Sequence, residues 1–327
     1  MKGNVVSRRT FVGTGASAAM LAGATPVRSQ GLTAGKHLRI LVGFAPGGST
    51  DTAARIIAAK LQERSGTTTV VENKPGASGT IATEAAARST PDGSVIVLAA
   101  MTSTVMAKLT VSNLPYDPQT DLVPIGHLAT FQLALAAAQT VPAQSVADFV
   151  AWAKASPVPI NFGVPGLGGH SHFFGVVLGR AIGINMQPVP YKGAAPLLTD
   201  LVGGQIPIGV SALSDFLAAY KSGRLKLVAS TGSSPSPSTP EIPTFAQAGY
   251  PELTGVGWIA FYAPAKTPRR VVEAMGTEIG AILALPDVRE RLLSLGMEPR
   301  GSSPDELAAF DDAELKRWAP IVQSTAF

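Results

Sequence analysis

The 327-residue chain contains no cysteine. This absence excludes disulfide frameworks, iron–sulfur clusters, thiolate metal sites and cysteine nucleophiles. It also suits an oxidising compartment, where a free thiol is a liability. Charged residues are scarce, at 15% of the chain, whereas 46% of the residues are hydrophobic. Such a chain can bury a large core, and its length favours about two domains.

An excess of positive charge is also missing once the N-terminus is set aside. Residues 1–29 contain Lys2, Arg8, Arg9 and Arg28 and no acidic residue, so 22 of the 26 basic residues remain to balance 22 acidic ones. A balanced chain has no electrostatic attraction to phosphates. We therefore expect no nucleic-acid partner.

Long hydrophobic runs are absent beyond the N-terminus, where no segment approaches 18 uninterrupted apolar residues. Residues 7–12 read SRRTFV, a paired-arginine motif, and a weakly apolar run of Ala, Gly and Thr follows. The alternative, a membrane anchor, is disfavoured because this run is short and rich in Gly and Ala. We predict a twin-arginine signal peptide at residues 1–29, which is removed on export to the periplasm.

After this leader, apolar strand patterns alternate with Ala-rich helical patterns. This alternation predicts α/β architecture, with parallel sheets covered by helices. Residues 125–138 and 254–263 are long apolar extended segments, and we interpret them as two crossings between lobes. Lobe I is predicted at residues 30–128 plus 252–327, and lobe II at residues 129–251.

Two glycine-rich turns each join a strand to a helix. Residues 43–51 read GFAPGGSTD and residues 163–172 read GVPGLGGHSH. Glycines let backbone amides approach a ligand, and the start of a helix attracts anions. The first turn lacks the lysine of a P-loop and the glycine spacing of a dinucleotide site. Two such turns facing one another would suit a ligand with a carboxylate at one or both ends, although each turn could also be a plain connection.

Residues for catalysis or metal binding are few. No Gly-x-Ser-x-Gly elbow is present. Asp51 and Asp200 are the two candidate bases, but carboxylates at such positions are more often caps or structural hydrogen-bonders. His170 and His172 have no third metal ligand nearby, so we expect no metal and no cofactor. Almost no basic residue accompanies either turn, so the donors to a ligand carboxylate should be hydroxyls and the amides around Gly47, Gly48 and Ser49.

Several motifs together resemble one family. They are GFAPGGSTD at 43–51, VVENKPGASGTIA at 70–82, PDG at 91–93, LPYDP at 114–118, VPYKGAAPLLTDLVGGQI at 189–206 and FYAPAKTP at 261–268. In order and spacing they resemble the extracytoplasmic solute receptors of the tripartite tricarboxylate transporter group, also called Bug receptors. The resemblance implies a type II periplasmic-binding-protein fold, with a ligand cleft between two α/β lobes and two crossover segments.

The resemblance also implies a function and a set of ligand-binding residues. It implies a monomeric receptor, not an enzyme, that binds a small carboxylated solute for a membrane permease. A periplasmic enzyme acting on an organic acid and a ligand-sensing subunit of a signalling system remain alternatives. The implied ligand-binding residues are Phe44, Ala45, Pro46, Gly47, Gly48, Ser49, Thr50, Asp51, Ser103, Val164, Gly166, Leu167, Gly168, Gly169, His172, Tyr191 and Ser211.

The sequence departs from the family pattern at the second turn. Val164 and Gly169 stand where members commonly have serine, and Val176 stands where they have glutamate. Ser211 stands where the family often has an acid at a strand end. We therefore expect a pocket less polar than is usual in the family.

Overall fold

A computed structural model describes residues 37–325. The predicted signal peptide at residues 1–29 lies outside the described residues. Within residues 37–325, no helix is both long and apolar enough to cross a membrane. The strands are β1 (Leu38–Val42), β2 (Thr69–Asn73), β3 (Val95–Ala100), β4 (Leu122–Ala138), β5 (Ile160–Val164), β6 (Met186–Pro190), β7 (Ile208–Ala212), β8 (Leu225–Ser230), β9 (Val256–Pro264) and β10 (Glu298–Pro299). The helices are α1 (Ser49–Ser65), α2 (Thr80–Ala87), α3 (Val105–Thr110), α4 (Val146–Lys154), α5 (His170–Ile182), α6 (Ala194–Val202), α7 (Leu213–Lys221), α8 (Arg269–Leu283), α9 (Pro286–Ser294) and α10 (Pro304–Gln323).

The strands pair in the order β2-β1-β3-β9-β4-β7-β5-β6, and β8 and β10 also pair with β4. As predicted, β1 is parallel to β2 and β3, and β5 is parallel to β6 and β7. The central pairs are antiparallel, which the expectation of parallel sheets missed. The reason is connectivity, because β4 carries the chain away from β3 and β9 brings it back.

Strand β4 links two halves of the sheet. Its first part, Leu122–Gln132, pairs with β9, whereas its last residues, Leu133–Ala138, pair with β7 and β8. We call β1, β2, β3, β9 and the start of β4, with their helices, the first half. The second half comprises β5 to β8, the end of β4 and helices α4 to α7. The lobe boundaries at residues 128 and 252 stay a prediction.

Strand β3 shows how the first half is built. All six of its residues are buried. Ile96 and Leu98 pack with residues of α1 and α8 on one face, while Val95 and Val97 pack with α2 and α10 on the other. Burial on both faces explains why its sequence, VIVLAA, is apolar throughout rather than alternating.

The core of the second half fixes where α5 begins. Phe149, Phe162, Phe174 and Phe216 belong to one buried cluster. Gly175 of α5 lies directly over Phe162, because a Cβ at this glycine would be 2.0 Å from the ring. This close approach holds α5 against β5, so that the helix starts just beyond the end of the strand.

Candidate functional site

A cavity of about 710 Å³ lies between the two halves. Its walls come from loops at the ends of strands in both halves. The lining residues are Gly43, Phe44, Ala45, Ser49, Thr50, Pro75, Gly76, Ala77, Ser78, Ala100, Met101, Thr102, Phe131, Leu133, Pro165, Gly166, Gly169, His170, Ser171, Lys192, Gly193, Ala194, Ser211, Ala212, Ser214, Asp215, Ile259 and Met297. This volume falls in the range of small-molecule sites.

Four helices begin at this cavity. It is lined by Ser49 at the start of α1, His170 at the start of α5, Ala194 at the start of α6 and Ser214 near the start of α7. The first amides of a helix have no acceptor within the helix, and its N-terminus carries partial positive charge. Convergent helix N-termini therefore give the cavity preformed donors for an anion.

Both ends of the first turn line the cavity, and Gly43, Phe44 and Ala45 form the wall at its start. Ser49 and Thr50 line the cavity, whereas Gly47 and Gly48 do not. The Gly47 amide donates instead to Oδ2 of Asp51 at 2.8 Å, and the Gly48 amide faces the Ala45 carbonyl at 3.4 Å. Both amides are therefore engaged within the turn, and a contact from them to a ligand carboxylate stays a prediction.

Asp51 stabilises the first turn through hydrogen bonds to its carboxylate. Its buried carboxylate accepts hydrogen bonds from Arg55 at 2.9 Å and from Asn73 at 2.8 Å, in addition to the Gly47 amide. Burial raises the pKa of Asp51, but the hydrogen bonds from Arg55, Gly47 and Asn73, with the Arg55 charge, outweigh it and leave the pKa below its usual value. Asp51 is thus an ionised structural carboxylate rather than a base facing the cavity.

The second turn contributes Gly166 and Gly169 to the cavity wall. His172 is buried behind it and accepts a hydrogen bond at Nδ1 from the Gly168 amide at 3.2 Å, as expected of a residue that fastens the loop to the helix start. Leu167 points outward with 51% of its surface exposed. Among residues 37–325, no three His, Asp or Glu side chains are grouped to hold a metal ion.

His170 lines the cavity. From the sequence it was considered only as a metal ligand, and no metal was expected there. It is 5% exposed and its ring meets Trp318 of α10 edge-on, with centroids 5.2 Å apart. Burial, and to a lesser extent the charge of Arg317, lowers the pKa of His170 to about 3. The imidazole is therefore neutral near pH 7, and the contact joins the two halves behind the cavity.

Two charged residues at the cavity were missed by the sequence-based reasoning. Lys192 precedes α6, and Asp215 lies in the first turn of α7. Asp215 accepts a hydrogen bond from the Ser211 hydroxyl. Burial raises the pKa of Asp215 despite hydrogen bonds from Ser211 and the Ala212 amide. The expectation that almost no basic residue accompanies the turns is corrected by Lys192, which β6 and α6 bring to the same cavity.

A third loop, residues 75–78, belongs to the motif at residues 70–82, and the sequence did not indicate a role for it at the site. Gly76, Ala77 and Ser78 line the cavity with positive φ values of 130°, 46° and 55°. Non-glycine residues seldom adopt such angles, and strained backbone is typical of functional loops. The Thr102 hydroxyl holds the loop by donating to the Ser78 carbonyl at 3.0 Å. Consecutive small residues after a strand were the available signal.

The remaining expected residues divide between cavity and support. Those that line the cavity are Phe44, Ala45, Ser49, Thr50, Gly166, Gly169 and Ser211. Those that do not line it are Pro46, Gly47, Gly48, Asp51, Ser103, Val164, Leu167, Gly168, His172 and Tyr191. The Tyr191 hydroxyl donates a hydrogen bond to Asp200 at 2.9 Å. Neither residue of this pair lines the cavity. Ser103 is buried and bonded to Thr83 at 3.0 Å.

Comparison with known proteins identifies this architecture. The sequence model of the tripartite tricarboxylate transporter family receptor matches residues 53–327. Protein BugT of Bordetella pertussis is 31% identical over 303 residues, covering 92% of this chain and 93% of BugT.

Two solved structures are similar across nearly the whole chain. A Rhodopseudomonas palustris protein, Rpa4515 with adipate, is 30% identical at a TM-score of 0.81, over 88% of this chain and 96% of that one. Periplasmic binding protein BugD is 32% identical at a TM-score of 0.77, over 88% of this chain and 97% of that one. The predicted fold class, that of the periplasmic binding proteins, is confirmed. The chain belongs to the tripartite tricarboxylate transporter family of solute receptors.

Proposed function

We propose that this protein is an extracytoplasmic receptor that binds a small carboxylated solute in the cleft between two lobes and delivers it to a membrane permease. The observation that carries the proposal is the convergence of helix N-termini from both halves on one cavity. The first amides of α1, α5 and α6 are fixed in place before a ligand arrives. Hydrogen bonds to a charged group are worth roughly 1.5–3 kcal/mol each, and they add to the burial of the ligand's carbon skeleton against the cost of association.

The rest of the cavity supports an organic rather than an inorganic anion. Its walls include the apolar side chains of Phe44, Met101, Phe131, Leu133 and Met297. Apolar surface of this kind stabilises a carbon chain or ring by removing it from water. The adipate in the similar R. palustris structure is a molecule of this class. We therefore place the ligand carboxylate at the helix N-termini and its carbon skeleton against these side chains.

A ligand screen tests the proposal. Native mass spectrometry of the purified protein would identify a retained ligand, and thermal-shift assays with mono- and dicarboxylates should give a saturable increase in Tm. A ligand at 100 times its Kd adds about 2.7 kcal/mol to stability. If no carboxylate binds, the proposal is wrong. Turnover of a bound compound by the purified protein would favour the alternative of a periplasmic enzyme.

The proposed location in the periplasm has its own test. The paired arginines Arg8 and Arg9 are the address for the twin-arginine route in our proposal. The double substitution Arg8→Lys with Arg9→Lys should trap the precursor in the cytoplasm. Unchanged periplasmic yield of the double variant, with export through the general secretory machinery, would contradict the twin-arginine assignment.

A further inference from the structure

The ionisable side chains that line the cavity are only three within residues 37–325, namely His170, Lys192 and Asp215. His170 is neutral near pH 7, because burial lowers its pKa to about 3. Lys192 therefore contributes a positive charge, and Asp215 contributes a negative charge when it is ionised. A dianion would gain attraction from Lys192 but would also meet the repulsion of Asp215 in a partly desolvated site.

Asp215 is available to a ligand. No ion pair joins its carboxylate to a cation anywhere in residues 37–325. Its hydrogen-bond partners are a neutral hydroxyl, that of Ser211, and one backbone amide, that of Ala212. A carboxylate held out of water without a counter-charge favours the approach of a cation. Burial raises the pKa of Asp215, and a cation close to the carboxylate would favour its ionised form.

The Lys192 ammonium is similarly unengaged, since it forms no ion pair within the part of the chain that the structure describes. It stands next to the start of α6, so that its ammonium and the first amides of that helix favour the same negatively charged group. Asp215 instead lies on α7, where its carboxylate offsets the positive end of that helix.

We propose that the cavity selects a solute that carries one carboxylate and one cationic amine, with Asp215 as the residue that binds the amine. The inference rests on the proposed function, since it names the class of carboxylated solute that the receptor takes. The carboxylate is held by Lys192 and the helix N-termini, and the ammonium is held by Asp215 beside Ser211.

Matched pairs of probes separate this proposal from plain carboxylate binding. Adipate and 5-aminopentanoate have chains of equal length, and they differ in that an ammonium replaces one carboxylate. Succinate with β-alanine and glutarate with 4-aminobutanoate give the same comparison for shorter chains. Calorimetric titration of the full mature protein at pH 7 should show the amino acid of the best-binding pair to be at least about tenfold tighter than its dicarboxylate partner, the scale of one charge-assisted hydrogen bond.

The substitution Asp215→Asn keeps the size and removes the charge. We expect it to weaken binding of the amino acid by about tenfold and to strengthen binding of the matched dicarboxylate. Asp148→Asn is the control, because Asp148 also sits in the first turn of a helix, α4, and accepts a backbone amide, that of Gln144, at 3.2 Å, but lies outside the cavity. It should leave both affinities unchanged.

The outcomes distinguish this inference from the proposed function. If the dicarboxylate binds the wild-type protein as tightly as the amino acid, and Asp215→Asn changes neither affinity, the inference is wrong while the receptor proposal stands. If Asp215→Asn strengthens binding of the amino acid, the inference is also wrong. If none of the six probes binds and no other carboxylate does, both proposals are wrong.

Discussion

Gly169 and Gly48 allow a direct test of which glycine-rich turn forms the ligand site. Each is the residue before a helix, and their backbones are nearly identical, with φ −89° and ψ 170° at Gly169 and φ −70° and ψ 166° at Gly48. Gly169 lines the cavity, and Gly48 does not. A Cβ at Gly169 would lie 3.8 Å from Thr102 of the first half, and one at Gly48 would lie 3.4 Å from the Ala45 carbonyl. Both positions therefore accept a side chain.

Gly169→Val should place two methyl groups beside the first amides of α5. We expect the affinity for the best carboxylate of the screen to fall more than about tenfold, equivalent to 1.4 kcal/mol. Valine is a poorer residue than glycine before a helix, and this costs up to about 1 kcal/mol of stability in either variant. Gly48→Val carries the same cost but lies outside the cavity wall, so its affinity should fall less than that of Gly169→Val.

Calorimetric titration of both variants gives the ligand affinity, and urea unfolding gives the free energy of unfolding. Wild-type affinity in a folded Gly169→Val protein would refute the assignment of the second turn to the ligand site. A large loss of affinity in Gly48→Val alone would instead support the expectation from sequence, in which the amides around Gly47 and Gly48 hold the carboxylate.

Three further predictions concern stability. Asp51→Ala should lower the free energy of unfolding by about 1–3 kcal/mol, because the Gly47 amide, Arg55 and Asn73 lose the buried carboxylate that they share. The folded-state pKa of Asp51 is lowered, so this loss of stability is full above the ordinary value of 3.8 and shrinks as the pH falls below it, which urea unfolding across pH would show. His170→Phe should make the protein less sensitive to acid between pH 6.5 and about 3, since the unfolded chain protonates this histidine and the folded one does not; equal loss of Tm with falling pH in both proteins would contradict this. Gly175→Ala should lower the free energy of unfolding measured in urea by about 1–3 kcal/mol through overlap with Phe162.

The sequence predicted helices and strands well where the pattern of apolar residues extends over many positions. The helical pattern of residues 304–323 and the strand pattern of residues 160–164 can be read in the sequence, and they form α10 and β5. The six residues of α3 were missed, because so short a helix shows no period. The antiparallel pairing of β4 with β9 could not be predicted from alternation, since it joins segments more than 100 residues apart and depends on the return path of the chain.

The site was predicted where glycine marked a strand-to-helix turn and missed where it did not. Ser49 and Gly169 follow such turns, and both line the cavity. Asp215 also lies where a strand, β7, is followed by a helix, α7, but no glycine marks that turn. In the sequence it therefore has the pattern of an ordinary acidic residue in the first turn of a helix. Lys192 lay within a motif that supported the family resemblance, yet nothing in its neighbours showed that it would lie at the same cavity as residues 20 positions further on.

In the proposed site, backbone amides bind the ligand carboxylate and side chains set the preferred charge of the ligand's second group. Backbone amides at the starts of α1, α5 and α6 do not titrate and remain present whatever the side chains are. In the proposed site they attract the ligand carboxylate whichever side chains surround it. The preferred charge of the ligand's second group then depends on a few side chains near the ends of loops, here Lys192 and Asp215. Because neither residue belongs to the buried apolar clusters, substitution there can change the class of solute while the cores that position the helices stay as they are.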